Sequence, residues 1–274
     1  VLHARIESQL ARSLVVAVGR RRFTLRPSPP PSVDLGALVA RARTARANSH
    51  FEVRAALAPG VTSAYLQRLK TAVYRRPVNS HVIFNVHHLR ASRARPGRRL
   101  QHSAFLADRV ATTLASWTRP RFLRAYTTVA RPSLTSHRLR AISGVIVTVS
   151  RHDHRARIFR HLLFVRNYRI AVGQPSFPTP TGLFHVQIKQ VNPSWQVPRS
   201  GWAGALAGET IPGGDPRNPI RARWIGFAGS VGFHGTNDLS SLGSSASHGC
   251  IRMTPGAVID LYRRVRIGTP VYVR

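Results

Sequence analysis

The residue types able to do covalent chemistry are concentrated between Phe233 and Met253. This stretch holds the chain's one cysteine, Cys250, its one methionine and two of its 13 histidines, His234 and His248. Cysteine is a strong nucleophile only as thiolate, and a free thiol of pKa about 8.5 needs a base or a positive field beside it. His248 is two residues from Cys250, so on an extended chain the two side chains share a face. A tight Ser-His-Gly-Cys turn breaks that relation. His234 ends an apolar run and precedes Gly235, which puts a base at the tip of a rigid strand. The consecutive N–H groups of Gly249 and Cys250, at the front of a helix starting at Pro255, can form an oxyanion hole. Arg252 can favour the thiolate or hold a substrate carboxylate. Two rivals stand beside this reading. Cys250 can be an inert buried side chain, or it can join His234, His248 and a fourth ligand such as His185 on zinc. The spacing matches no standard zinc pattern.

The elements around this stretch must position it. Val145 to Val149 reads as a strand, Ile158 to Val165 includes a second, and Leu183 to Val191 alternates as another. Gly173 to Gly182 is a Pro/Gly/Thr-rich loop. From Asn192 to Asn218 the chain is rich in Pro, Gly and Trp, as expected of a long loop over a cleft. Trp224 to Ala228 is a strand leading into the histidine. Thr254-Pro255 starts a helix, with Val258, Leu261, Tyr262 and Val265 on one face. Val271 to Val273 closes the chain as a strand.

Ahead of this lies a region with more helix. It reads as a helix over Leu2 to Leu10, a hairpin over Ser13 to Leu25, and a helix capped by Asp34. A strand over Phe51 to Leu57 follows, then a helix from Ser63 to Tyr74. His81 to Val86 pairs with His88 to Ser92, Ser103 opens a further helix, and Phe122 to Val129 is a strand. Arg131 to His137 is a polar hinge. The chain is therefore α+β, with an N-terminal α+β domain over 1–135 and a mainly β, sandwich-like domain over 141–274 that has a helix after the cysteine.

The net charge is +33, and all but Lys70 and Lys189 of the 42 basic residues are arginine. Such a field attracts polyanions: nucleic acid is one candidate, and an anionic cell-envelope polymer or lipid headgroups is another. No zinc-finger spacing, basic zipper or aromatic RNA-binding signature appears, so no dedicated nucleic-acid site is expected. One cysteine excludes an intrachain disulfide. No run approaches the roughly 18 apolar residues of a membrane span. The chain opens on Val1, so a leader or anchor ahead of it is expected.

The run Ser247-His248-Gly249-Cys250-Ile251-Arg252, with His234-Gly235-Thr236 before it, resembles the signature of the L,D-transpeptidase family with a YkuD-type catalytic domain. Pro178-Thr179-Pro180-Thr181-Gly182 and Gly268-Thr269-Pro270-Val271 resemble further segments of that family, in its order. The resemblance covers about 141 to 274 and implies Cys250 as nucleophile and His234 as base. It implies that the Gly235 carbonyl orients the imidazole, and that Ser247, His248 and Gly249 shape the pocket and oxyanion hole. Arg252 stands where some members carry asparagine, and a substrate contact is its implied role. The implied reaction is acyl transfer from a peptidoglycan stem to an amine of another, with D-alanine released, no cofactor or metal, and covalent inhibition by carbapenem-type β-lactams. The implied location is extracytoplasmic. A carboxypeptidase using water, and a non-catalytic wall-binding protein, remain as alternatives. The first region resembles, loosely, peptidoglycan-binding or spacer domains found ahead of such modules.

Overall fold

The computed structural model describes residues 2–47, 49 and 55–274. Residues 51–54, most of the strand expected over Phe51 to Leu57, lie outside the described residues; Ala56 pairs with Ser32 as an isolated antiparallel bridge. The chain forms two compact units. One comprises the residues up to Asn79 together with Ala94–Ser133; the other comprises Ser80–Arg93 and Leu134–Arg274. The segment Ser80–Arg93, which sequence order groups with the first region, thus belongs to the second unit. The reason is visible in its packing. The hairpin Val82–Phe84/Leu89–Ala91 buries Leu89 against Ile146, Phe159 and Leu162, and the buried Thr148 hydroxyl donates to the Val86 carbonyl at 2.7 Å.

In the first unit, Leu14–Val18 is the middle strand of a three-stranded sheet, antiparallel to Arg21–Leu25 and parallel to Phe122–Ala125. Its alternating side chains send Leu14, Val16 and Val18 into the core. The helices Val61–Val73 and Ser103–Ala115 cover that face with Leu66, Leu69, Leu106, Val110 and Leu114. Asp34 caps Leu35–Arg43 by accepting from Ala37 N at 2.9 Å. The helix expected from Ser63 starts two residues earlier, at Val61, behind a left-handed Gly60.

The second unit is a sandwich-like pair of sheets. The five-stranded sheet runs in the order Leu163–Arg169, Arg155–Arg160, Val145–Ser150, Pro270–Val273, Gly182–His185. The four-stranded sheet runs Ile188–Val191, Arg221–Ala228, Val231–Gly235, Ile251–Met253. Their facing side chains share one core, including Val147, Ile158, Val271, Ile225, Phe227, Phe233 and Ile251. The helix Pro255–Arg264 adds Val258 and Leu261 to it, and is capped by Thr254, whose Oγ1 accepts from Ala257 N at 3.1 Å.

Three expectations change here. Leu183 to Val191 is not one strand: it crosses between the sheets at Val186 and Gln187, whose N–H groups bond to Thr269 O in one direction and Gly226 O in the other. The range Ile158 to Val165, read as including one strand, holds parts of two, Arg155–Arg160 and Leu163–Arg169, turning at His161 and Leu162 with φ of 54° and 62°. Arg131 to His137 is not all hinge, because Thr135 caps a short helix, Ser136–Ile142.

Candidate active site

His234 and Arg252 are register partners on parallel neighbouring strands, and Trp224 faces His234 from the antiparallel strand on the other side. Strand parity sorts the side chains. Phe233, Ile251 and Met253 point into the core, so His234, Arg252 and, one residue before its strand, Cys250 take the opposite face. Trp224 lies against the His234 ring at 6.0 Å between centroids and 29° between planes. Gly226 and Gly232 make room for the indole: a Cβ on Gly232 would meet Trp224 Cζ2 at 2.8 Å and Ile225 O at 2.6 Å.

The buried His234 is held in one tautomer. Its Nδ1 is 2.8 Å from Gly235 O, and a carbonyl can only accept, so Nδ1 carries the proton and Nε2 keeps its lone pair. Burial, aided by the Arg252 charge, lowers its pKa to about 4, against the opposing pull of the Gly235 carbonyl. The imidazole is therefore neutral at pH 7. Burial also pushes the Cys250 thiol up, while the Gly232 N–H and Arg252 act the other way. Both shifts favour a neutral thiol beside a neutral imidazole over a preformed ion pair. The thiol is half-buried, with Sγ 3.6 Å from Ser230 O.

The Ser-His-Gly-Cys turn is fixed by bonds that the sequence does not announce. The buried Ser247 hydroxyl donates to Cys250 O at 2.5 Å and accepts from Gly249 N at 3.2 Å. The Gly249 N–H is thus already engaged, which corrects its expected role as an oxyanion donor. The thiol is not at a helix front either, since the strand Ile251–Met253 separates it from Pro255. Gly249 has φ of 107°, a conformation open to glycine. Its carbonyl accepts from Thr179 Oγ1 at 2.8 Å, and the same hydroxyl accepts from Gly173 N at 2.8 Å. The two ends of a trans peptide point oppositely, so this bond turns the Cys250 N–H away from Thr179. Thr179 is fully buried and sits 70 residues from its partner. Its position between two prolines was the available signal. Thr179→Val is expected to strand two buried backbone groups, each costing about 1–3 kcal/mol, and to lower kcat more than it raises KM. Thermal unfolding and steady-state kinetics check both.

Cys250, His234, Ser247, His248 and Arg252 line one cavity of about 560 Å³, roofed by Trp195, Pro198 and Trp202 from the 192–218 loop. That loop is built rather than slack. Trp195–Gln196 pairs with Thr210–Ile211, and the buried Asn218 amide donates to the carbonyls of Pro193, Ile211 and Pro212 at 3.0, 3.3 and 3.1 Å. Trp202 stacks on His248 at 4.2 Å and 12°, and Phe177 touches the same imidazole at 5.0 Å. His248 is therefore an exposed aromatic platform beside the thiol. Arg252 donates to Asp238 at 3.1 Å, so part of its charge is committed. His185 stands on the other sheet, opposite Pro270, and is not among the lining residues, so the zinc arrangement is not assembled. Among the described residues no group of three or more His, Cys, Asp or Glu side chains is placed to hold a metal ion.

Residues 144–273 match the family model for the YkuD L,D-transpeptidase catalytic domain. Two Bacillus proteins carrying the L,D-transpeptidase name are similar. YqjB of Bacillus subtilis (strain 168) is 37% identical over 112 residues, covering 39% of this chain and 57% of that protein. YkuD of Bacillus licheniformis is 32% identical over 128 residues, covering 46% of this chain and 64% of that protein. The chain thus spans less than two thirds of each relative's length. Among solved structures, an L,D-transpeptidase from Mycobacterium smegmatis aligns with 81% of this chain and 89% of its own, at TM-score 0.39 and 18% identity. At this level the overlap speaks to neither substrate nor partner.

Proposed function

We propose that the protein is a cysteine-dependent L,D-transpeptidase that crosslinks peptidoglycan stems. The observation that carries this reading is one cavity presenting the Cys250 thiol and a neutral His234 whose Nδ1–H is tied to Gly235 O. In the first step Cys250 Sγ bonds to the carbonyl carbon of the third stem residue as its proton passes to His234 Nε2. The Cys250 N–H, turned away from Thr179, stabilises the oxyanion. The tetrahedral adduct collapses, the bond to the terminal D-alanine breaks, and its nitrogen takes the proton from the imidazolium. A thioester remains. A side-chain amine of a second stem attacks it, its proton passes to His234, and the thiol is restored.

On this reading residues 141–274 carry the catalysis, and the first unit, the residues up to Asn79 with Ala94–Ser133, binds or spans the wall. The positive charge draws the protein to the anionic wall polymer, outside the cytoplasm. The same thiol opens carbapenem-type β-lactams, keeping the acyl group. Incubation with a tetrapeptide-stem muropeptide should release D-alanine and yield a crosslinked dimer by mass. A tripeptide product alone would make water the acceptor and the protein a carboxypeptidase. No D-alanine release at all would leave a wall-binding protein and overturn the proposal.

A further inference from the structure

We propose that the outer end of the five-stranded sheet docks on an anionic lipid surface. The hairpin formed by Arg155–Arg160 and Leu163–Arg169 turns at His161 and Leu162, and the second strand is the sheet edge. A strand with one face in a core should alternate apolar and polar side chains. This one begins with three consecutive apolar residues that all protrude: Leu163, Phe164 and Val165 are 65%, 53% and 44% exposed. Ile267, on the turn before the last strand, is 70% exposed. Apolar side chains scattered singly need no explanation, but Leu163, Phe164 and Val165 are consecutive, at a strand whose register shifts between Phe164 and Arg166. Val165 and Ile267 line a cavity of about 1010 Å³ whose floor includes Val82 and Phe84.

Arg160, Arg263, Arg264 and Arg266 line that cavity, and no carboxylate does. The nearby Asp260 is already shared by Arg166 and Arg264, at 2.7 and 2.9 Å. Protruding apolar side chains beside a cavity lined with arginines match the interfacial zone of a bilayer bearing acidic headgroups. The apolar tips enter the acyl boundary and the guanidiniums meet phosphate. A second copy of this chain would bring arginines against arginines, which disfavours self-pairing through this face. The cavity with Cys250 is lined by other residues, so docking here leaves that cavity's lining untouched.

The test must separate this patch from the charge of the whole chain. The full-length protein is mixed with phosphatidylglycerol vesicles and with phosphatidylcholine vesicles, at physiological and at raised salt, and sedimented. The variant Leu163→Ser/Phe164→Ser/Ile267→Ser keeps every charge. It is expected to lose at least about tenfold in partition to phosphatidylglycerol, most clearly at raised salt, with muropeptide turnover unchanged. Phe164→Ser alone should lose a smaller part, and serves if the triple variant is unstable. Equal partition of wild type and variants would assign binding to bulk charge and overturn the proposal. So would equal binding to phosphatidylcholine, or a dimer in analytical ultracentrifugation that the serine variants dissolve.

Discussion

Cys250→Ala is expected to lower D-alanine release and crosslink formation by at least about 10⁴-fold, the scale seen when an activated nucleophile is removed. The chain has no second thiol to substitute for it. The loss should be one of chemistry. Cys250 is half-buried and its sulfur makes one long contact, to Ser230 O at 3.6 Å, so folding stability should change by under about 1 kcal/mol. The turn itself persists, because it is held by the Ser247 hydroxyl and by Thr179. Intact mass after exposure to a carbapenem should rise by one acyl adduct in the wild type and stay constant in the variant. Turnover that survives the substitution would refute the thiol mechanism.

His234→Gln should lower kcat by about 10²–10⁴-fold, the usual worth of a positioned general base. Glutamine can still donate to Gly235 O but cannot take a proton. The pH profile separates this role from a merely structural one. With the His234 pKa lowered to about 4 by burial, the base is already neutral well below the ordinary histidine value. The acid limb of wild-type kcat/KM should therefore fall far below pH 6.5 and disappear in the variant. An acid limb centred near 6.5 would exclude a buried neutral base. Stability follows the same linkage. Between the unfolded value of 6.5 and the folded value of about 4, the unfolded chain binds the extra proton. The contribution is complete above pH 6.5 and is lost as pH falls toward 4, by up to about 3 kcal/mol. Urea unfolding at several pH values should show this slope in the wild type and a flatter one in His234→Gln.

The sequence made the reactive pair legible because cysteine and histidine occur there with glycine neighbours and little else that could react. The last helix was legible for the same local reason: Thr254 caps it, Pro255 suits its first turn, and its apolar face has helical period. What escaped was decided by long-range pairing. Nothing in His161-Leu162 marks a turn, since the usual glycine or asparagine is missing and two ordinary residues adopt positive φ. The alternation from Leu183 to Val191 fits one strand as well as two, and only the sheets decide where it breaks. The helix Ser136–Ile142 buries one side chain, Leu139, among arginines, so its apolar period is too faint to read. In the site, the role expected of the Gly249 N–H failed because a serine two residues away takes it. Thr179 escaped because it acts across 70 residues through a backbone carbonyl.

The pairing of His234 with Arg252 on parallel strands bears on how such sites can diverge. Sheet register sets the approach of base and thiol. The chain between Thr236 and Ala246 leaves one strand and returns toward its neighbour, and on the way supplies Asp238 to Arg252 and buries Ser241 and Leu242. Its length can drift where those contacts are kept, and insertions that spare Asp238 should be tolerated. The number of residues separating the two motifs is therefore a poor signature for this chemistry. A better one is a histidine ending an apolar strand, followed by glycine, and a cysteine one residue ahead of the strand that pairs with it.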